Sequence, residues 1–332
     1  MNIKVSVIIP IYNMEQYLAE CLNSVQSQSL SEIEIIAIND GSTDRSLEIL
    51  NDYVSKDCRI KIIDKKNAGV AAARNDGLKA AAGEFVAFMD PDDYYPNCYV
   101  LEKCYAAAKE HGVAIAGGDY RILSQDGTTK HERVREAYGL QIAPKGLTEY
   151  RDFQYDFGYT CFIYSRELLT NNGILFPSYS RFQDPPFFVK AMIAAQSFYA
   201  LDDETYCYRV NFNSGKTAPR KAFDFIKGLV DNLSTAKDKD LAQLYFITVK
   251  RLDKEVSYIL IHNLECPEIG ELTASYIKAI ALVDIKWLQD KGYDIPDCFM
   301  PEYIDYLIST TVKYEKLRNN KALRIMKSVL KP

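Results

Sequence analysis

Apolar runs and helical spacings alternate along the first third of the chain. Residues 4–9 predict a strand carrying Val5, Val7, Ile8 and Ile9, after which Leu18, Leu22 and Val25 recur at the interval of a helix face. Asn13, with Gln16 three positions on, has the arrangement of a capping box at that helix's start. The alternation then repeats. Residues 34–38 predict a strand and the segment to about residue 54 a helix; 60–63 predict a strand, and 70–82 an alanine-rich helix closed by Gly83. Residues 85–89 lack polar alternation, as expected of a strand covered on both faces. Pro96 marks the start of a further helix to about residue 110, and 113–116 predict one more strand. Strands recurring at roughly 25 to 30 residues with helices between them predict right-handed crossovers and a mostly parallel sheet with helices on both faces.

Beyond residue 120 the pattern weakens. Asp126-Gly127 predicts a hairpin joining 121–124 to 128–133, whereas 136–159, rich in tyrosine and glycine, follows no clear period. Residues 165–171 predict a short helix ended near Gly173, and Phe182-Gln183-Asp184-Pro185-Pro186 a loop leading into a helix to about residue 195. A strand at 206–210 and a polar loop at 211–217 follow. From Pro219 glycine becomes sparse and apolar residues recur every three or four positions. The expected organisation is therefore an α/β domain over 1–218 and a helical region over 219–332.

The polar residues between these elements change the picture. Residues 10–13, 40–44, 67–69 and 90–93 all follow the carboxyl ends of predicted strands, the rim where open parallel sheets bind ligands. Asp90, Asp92 and Asp93 bracket Pro91 and would repel one another unless a cation joined them. Carboxylate oxygens suit hard divalent ions, Mg2+ or Mn2+, that also hold substrate phosphates. Taken alone, the same segment also suits an acidic turn with Asp93 at a helix start.

Composition narrows the classes. The net charge of −5 leaves no chain-wide cationic excess for binding nucleic acid. The eight cysteines contain no CxxC pair, and the three histidines have no zinc-ligand spacing, so the thiols read as small hydrophobes in a reducing compartment. The apolar stretch before Pro10 is too short for a signal-peptide core and no later stretch reaches a membrane span, which predicts a cytoplasmic protein.

Several motifs in order resemble the family 2 glycosyltransferases, the inverting enzymes of the GT-A fold. Val7-Ile8-Ile9-Pro10-Ile11-Tyr12-Asn13 is similar to the family's opening strand and nucleotide-contacting turn, and Asn39-Asp40-Gly41-Ser42-Thr43-Asp44 to its second. Asn67-Ala68-Gly69, running on to Ala73-Arg74-Asn75-Asp76-Gly77, is similar to its Asn-x-Gly helix, and Asp90-Pro91-Asp92-Asp93 to its metal-binding DxD. Weaker likeness continues through Asn172-Gly173-Ile174-Leu175-Phe176-Pro177 and Asp184 to Tyr208-Arg209, and none is seen from 220 onward.

The resemblance implies a GT-A, Rossmann-like sheet, a nucleotide-sugar donor, and a glycan or lipid-linked glycan acceptor in cell-surface polysaccharide synthesis. It implies Mn2+ or Mg2+ at Asp90 and Asp92, and donor contacts from Pro10, Tyr12, Asp40, Asn67, Gly69, Arg74, Asp93, Arg209 and Lys216. Tyr12 and Asp40 supply the aromatic face and the acceptor that a uracil or thymine ring needs. Arg74 either reaches the nucleotide or covers its own helix, Asp93 either binds ribose or caps a helix, and Lys216 is either a lid cation, beside Ser214, or merely solvated.

Asp184 is the implied general base, although by itself it also suits an N-cap before Pro186, and the Gln183-Asp184 pair departs from the family's usual Glu-Asp. Phe162 stands where relatives often carry a basic residue, which implies a different acceptor. Tyr150, Phe153, Tyr155, Phe157 and Tyr159 suit sugar stacking or a core. Residues 313–332 carry seven lysines and arginines against Glu315, with a stripe of Tyr314, Leu317, Ile325, Met326 and Val329. That segment suits peripheral contact with the inner face of an anionic membrane, or packing on the appendage or on a second subunit of a homodimer. Two other readings stay open: a nucleotidyltransferase, against which stands the lack of a glycine-rich basic loop after the first strand, and a non-catalytic sugar-nucleotide-binding scaffold.

Overall fold

A computed structural model describes residues 2–124, 129–130, 145–209, 217–295, 298–299 and 301–319. The hairpin turn expected at Asp126-Gly127, Ser214, Lys216 and the tail beyond residue 319 lie outside these.

The chain divides into two compact units, residues 1–178 with 183–212, and residues 179–182 with 213–332. The first is built on one sheet. Strands β1 (Val5–Ile11), β2 (Ile33–Asp40), β3 (Ile60–Lys65) and β4 (Phe85–Phe88) run parallel in the order β3-β2-β1-β4. β1 and β2 are buried along their whole length because both faces are covered, while β3 at the edge is only partly buried. Helices α1 (Leu18–Gln26), α2 (Ser46–Val54), α3 (Val70–Ala80) and α4 (Val100–His111) follow in turn. α3 lies so close to the sheet that a Cβ on its Gly77 would come within 2.5 Å of the Ile8 side chain. Only glycine allows that approach, which fixes the depth at which α3 carries its polar residues.

The sheet continues as a mixed one. β5 (Ile115–Leu123), β6 (Thr129–Lys130), β7 (Gly146–Glu149), β8 (Phe162–Ser165) and β9 (Ser197–Arg209) extend it in the order β4-β8-β5-β9-β7, with β6 on β5. The parallel reading therefore holds for the first four strands. β8 enters antiparallel between β4 and β5, and β9 pairs parallel to β5 but antiparallel to β7. Two short helices complete the unit: α5 (Arg166–Asn171), capped by the Ser165 hydroxyl, and α6 (Asp184–Ala195).

Three local expectations change. Asn13 is not an N-cap: it has a φ of 54°, and α1 begins only at Leu18 without a side-chain cap. The helix expected from Pro96 starts at Val100. Gly83 does not close α3 in a left-handed turn but lies against the strand, where a Cβ would meet the Ser6 nitrogen at 2.6 Å.

The second unit is helical. α7 (Pro219–Asp238), α8 (Ala242–Arg251), α9 (Ser257–His262), α10 (Ile269–Ile280), α11 (Ile285–Asp290) and α12 (Pro301–Asn319) pack around Phe225, Leu229, Leu244, Ile247, Leu272 and Tyr276. Leu307 and Thr311 of α12 are buried, and Thr311 hydrogen-bonds Thr273 on α10 at 3.1 Å. Residues 179–182 belong to this unit: the Tyr179 hydroxyl donates to Asp231 at 2.5 Å and the Ser180 hydroxyl to Asp224 at 2.6 Å. Among the described residues no helix is long and apolar enough to cross a membrane.

Candidate active site

Three turns after the parallel strands are tied into one piece. Asn13 accepts the Thr43 N–H at 2.7 Å, and its own N–H reaches the Ser42 hydroxyl at 3.1 Å. Asp44 accepts from the Glu15 N–H at 3.0 Å and the Ser46 N–H at 2.9 Å, so the second turn holds the first. Asp40, buried at the end of β2, accepts the Ala68 and Gly69 N–H groups at 2.9 and 2.8 Å, so it also holds the third. Gly41 has a φ of 74° and stands where a Cβ would meet the Asn67 nitrogen at 2.8 Å. These bonds leave Tyr12 47% exposed above a buried Pro10, with Asn67 and Gly69 also exposed. Each Asp40 oxygen keeps a lone pair for one further donor, so the arrangement still suits a ring N–H.

The acidic turn after β4 is held from another direction. Asp90 is half-buried; its Oδ1 accepts from Arg74 Nη2 at 2.6 Å and from the Tyr159 hydroxyl at 3.2 Å. Asp93 is 2% exposed, and its oxygens accept the Tyr206 hydroxyl at 2.8 Å and the Arg209 backbone N–H at 2.7 Å. Burial first, then repulsion from Asp90 and Asp92, pushes the Asp93 carboxyl up to about 8 against those two hydrogen bonds. The same Tyr206 oxygen also accepts the Asp90 N–H at 3.0 Å. Asp93 is thus not the cap of the helix that follows, which begins only at Val100. It pins the end of β9 beneath the acidic turn. Arg209 donates from Nε to the Asp92 carbonyl at 2.9 Å and from Nη2 to Glu20 at 2.5 Å, so an incoming phosphate would have to compete with Glu20 for it.

Arg74 is not a surface arginine covering its own helix. It is 4% exposed, and its guanidinium lies against the rings of both Tyr159 and Phe176, at 5.1 and 5.2 Å. Burial opposes its charge most strongly, yet Tyr159, Asp90 and Asp184 together raise its pKa above the ordinary arginine range. Burial pushes the Tyr159 hydroxyl up as well, so it is a neutral phenol and the charge balance runs between Arg74 and the two carboxylates.

Asp184 is the first residue of α6, half-buried, with Pro185 and Pro186 in the first turn, where their missing N–H groups break no helical bond. The two prolines therefore start the helix rather than distort it, and the residue at the cap position is Gln183, without a capping bond. Phe162 does not face an acceptor: it is 5% exposed and packs on Phe188 and Phe198. Tyr150, Phe153, Tyr155 and Tyr159 are buried too, in a core rather than a sugar platform.

The sequence singled out neither Tyr206 nor Glu20, and carried Asn75 only inside its Ala-Arg-Asn motif without a role, yet all three shape this site. A short Tyr-Cys-Tyr-Arg run ahead of a polar loop was the available signal for the first. Among the described residues no three His, Cys, Asp or Glu side chains are grouped to hold a metal ion. With Asp93 engaged and one Asp90 oxygen shared with Arg74, the donor set that fits a hard cation is Asp92 with the remaining Asp90 oxygen. The other coordination positions would fall to oxygens of a bound diphosphate.

A model of the family described as glycosyl transferase family 2 matches residues 6–172, just over half the chain. EpsJ, a glycosyltransferase of Bacillus subtilis, is 36% identical over 65% of this chain and 64% of its own length. TarS of Staphylococcus aureus, a poly(ribitol-phosphate) beta-N-acetylglucosaminyltransferase, is 32% identical over 62% of this chain and 35% of its own. The chain thus spans less than two thirds of either relative. The solved structure of TarS residues 1–349 with UDP-GlcNAc superposes with a TM-score of 0.64 at 24% identity, covering 94% of this chain and 92% of that one. The mannosyltransferase PcManGT of Pyrobaculum calidifontis, with GDP-Man and Mn2+, gives 0.58 at 16% identity, covering 95% and 87%. At those identities the two structures bear on the fold, which they share.

Proposed function

The chain belongs to glycosyl transferase family 2, and on that premise we propose that it moves a sugar, with inversion, from a UDP-sugar to a hydroxyl of a cell-surface or cell-wall glycan. The observation that carries the reading is the ion pair of Asp90 with a buried guanidinium whose charge Asp184 also supports, beside three interlocked turns fit to hold a nucleotide. Tyr12 offers its exposed ring to the base, and Asp40 accepts the ring N–H; a TarS structure with UDP-GlcNAc supports the choice of uracil.

Asp184 takes the proton from the acceptor hydroxyl as that oxygen bonds to the anomeric carbon from the face opposite the leaving group. The carbon–oxygen bond to the diphosphate breaks, and its electron pair leaves with the nucleoside diphosphate. Asp92 with Asp90 would hold Mn2+ or Mg2+, which when bound supplies positive charge at the diphosphate oxygens as they become more negative. Arg209 lies beside this position and would exchange Glu20 for a phosphate oxygen.

The test is to offer the purified protein a panel of nucleotide sugars with Mn2+ and several glycan acceptors, following nucleoside diphosphate release and the anomeric configuration of the product. UDP release with an inverted product is expected. A retained configuration, or a product that keeps the sugar–phosphate bond, contradicts the reading.

A further inference from the structure

Arg74 has more buried donors than partners. Nη2 is on Asp90, but Nε and Nη1 are buried with none. A buried guanidinium with idle N–H groups is costly unless charge and ring faces around it compensate. Here Asp90, Asp184, Tyr159 and Phe176 do so.

Its neighbour Asn75 explains how the second ring is fixed. The Asn75 amide donates to the Phe176 carbonyl and accepts the Phe176 N–H, both at 2.9 Å, which clamps residue 176 above α3. The Phe176 ring stacks on Phe187 at 4.0 Å with planes 6° apart. Phe187 lies on α6, whose first residue is Asp184. The middle of α3 therefore reaches Asp90 by an ion pair and Asp184 by charge and through a stacked aromatic pair.

We propose that Arg74 is a positioning residue, the shared counter-charge that sets Asp184 against Asp90, and that it does not contact the nucleotide. The proposal rests on the reading of Asp184 as the base. Arg74 places the reactive carboxylate relative to the donor from inside the domain, and Asn75 holds the aromatic shelf on which that placement depends. The idle N–H groups allow the guanidinium to take Asp184 as a second partner while keeping Asp90.

The proposal is tested with Arg74→Met, Asn75→Ala, Asp184→Asn and the Arg74→Met/Asp184→Asn double variant, measuring UDP affinity with Mn2+ by calorimetry and the steady-state rate of UDP release from UDP-sugar. Arg74→Met is expected to lower kcat about 100-fold while UDP affinity stays within about 3-fold, and to add less than about 3-fold to the loss in Asp184→Asn, because residues acting as a unit are not additive. Asn75→Ala is expected to lower kcat about 10-fold with the same unchanged affinity, and it carries the test should Arg74→Met not fold. A UDP affinity reduced tenfold or more in Arg74→Met, a kcat left unchanged, or losses that multiply in the double variant would each overturn the proposal and leave the base assignment standing. Full turnover in Asp184→Asn overturns both.

Discussion

After β1, β2 and β3 the site consists of turns that hold one another, Asn13 on Thr43 and Asp40 on Ala68 and Gly69, whereas after β4, where antiparallel β8 joins the sheet, it consists of carboxylates set into aromatic packing. The first kind is local. Its residues sit within a few positions of a strand end, and their partners are backbone N–H groups of the next turn. The second kind is assembled from afar: Asp93 with Tyr206 and Arg209, and Arg74 with Tyr159 and Phe176. The contrast suits the two tasks of the proposed enzyme. A nucleotide needs a preformed, partly exposed cradle, while the reacting groups need a drier site in which charges act more strongly.

Substitutions on either side should therefore fail differently. The largest effect is expected from Asp92→Ala, which removes one of the two carboxylates proposed to hold a divalent cation and should lower UDP release about 100-fold or more, with a matching loss of Mn2+-dependent UDP affinity. UDP binding that stays Mn2+-dependent in this variant would move the cation elsewhere.

Tyr206→Phe acts on the packed half. It strips one bond from buried Asp93 and one from the Asp90 N–H, and should cost about 1–3 kcal/mol in chemical denaturation at neutral pH. An unchanged midpoint would show that the packed half is not held this way. Tyr12→Ala probes the cradle: about 10-fold weaker UDP binding with an unchanged melting temperature, since the ring is 47% exposed and, in the proposed function, is free to stack on a base. A fall in stability with unaltered affinity would reverse the roles of the two halves.

Asp57→Asn is the smallest and a control far from the rim. The hydrogen bonds from Arg59 hold the Asp57 carboxyl down at about 2, against the opposing effect of burial. Because that is below the unfolded value of about 3.9, its contribution is complete above about pH 5 and is lost as pH falls through about 2. Asp57→Asn should thus cost about 1 kcal/mol at pH 7, and the gap to wild type should narrow in urea titrations carried toward pH 2. A gap independent of pH would show that the ion pair contributes nothing.

The difference between the halves also explains what the sequence could reveal. The first four strands, their helices and the polar turns at 10–13, 40–44, 67–69 and 90–93 were legible because apolar period and turn chemistry are local properties. Asn13 has the local form of a cap, because Asn followed by Gln at the third position reads the same whether its oxygen serves its own helix or, as here, a neighbouring turn. The burial of Arg74 and Asp93 is not legible in the sequence because it is decided by Tyr159, Phe176 and Tyr206, which lie 85, 102 and 113 residues away in the chain for the pairs Arg74–Tyr159, Arg74–Phe176 and Asp93–Tyr206. The antiparallel entry of β8 was equally hidden, as a four-residue apolar strand carries no sign of its direction. Asp184 as the first residue of a proline-led helix was readable apart from its exact place in the turn.

The measurement that bears most directly on the division of labour is UDP affinity set beside single-turnover transfer in Asp184→Asn. The account predicts affinity within about 2-fold of wild type and transfer slowed about 1000-fold, because only the proton acceptor has been removed. Transfer at the wild-type rate, or UDP binding lost together with it, would contradict the placement of the base on the packed half.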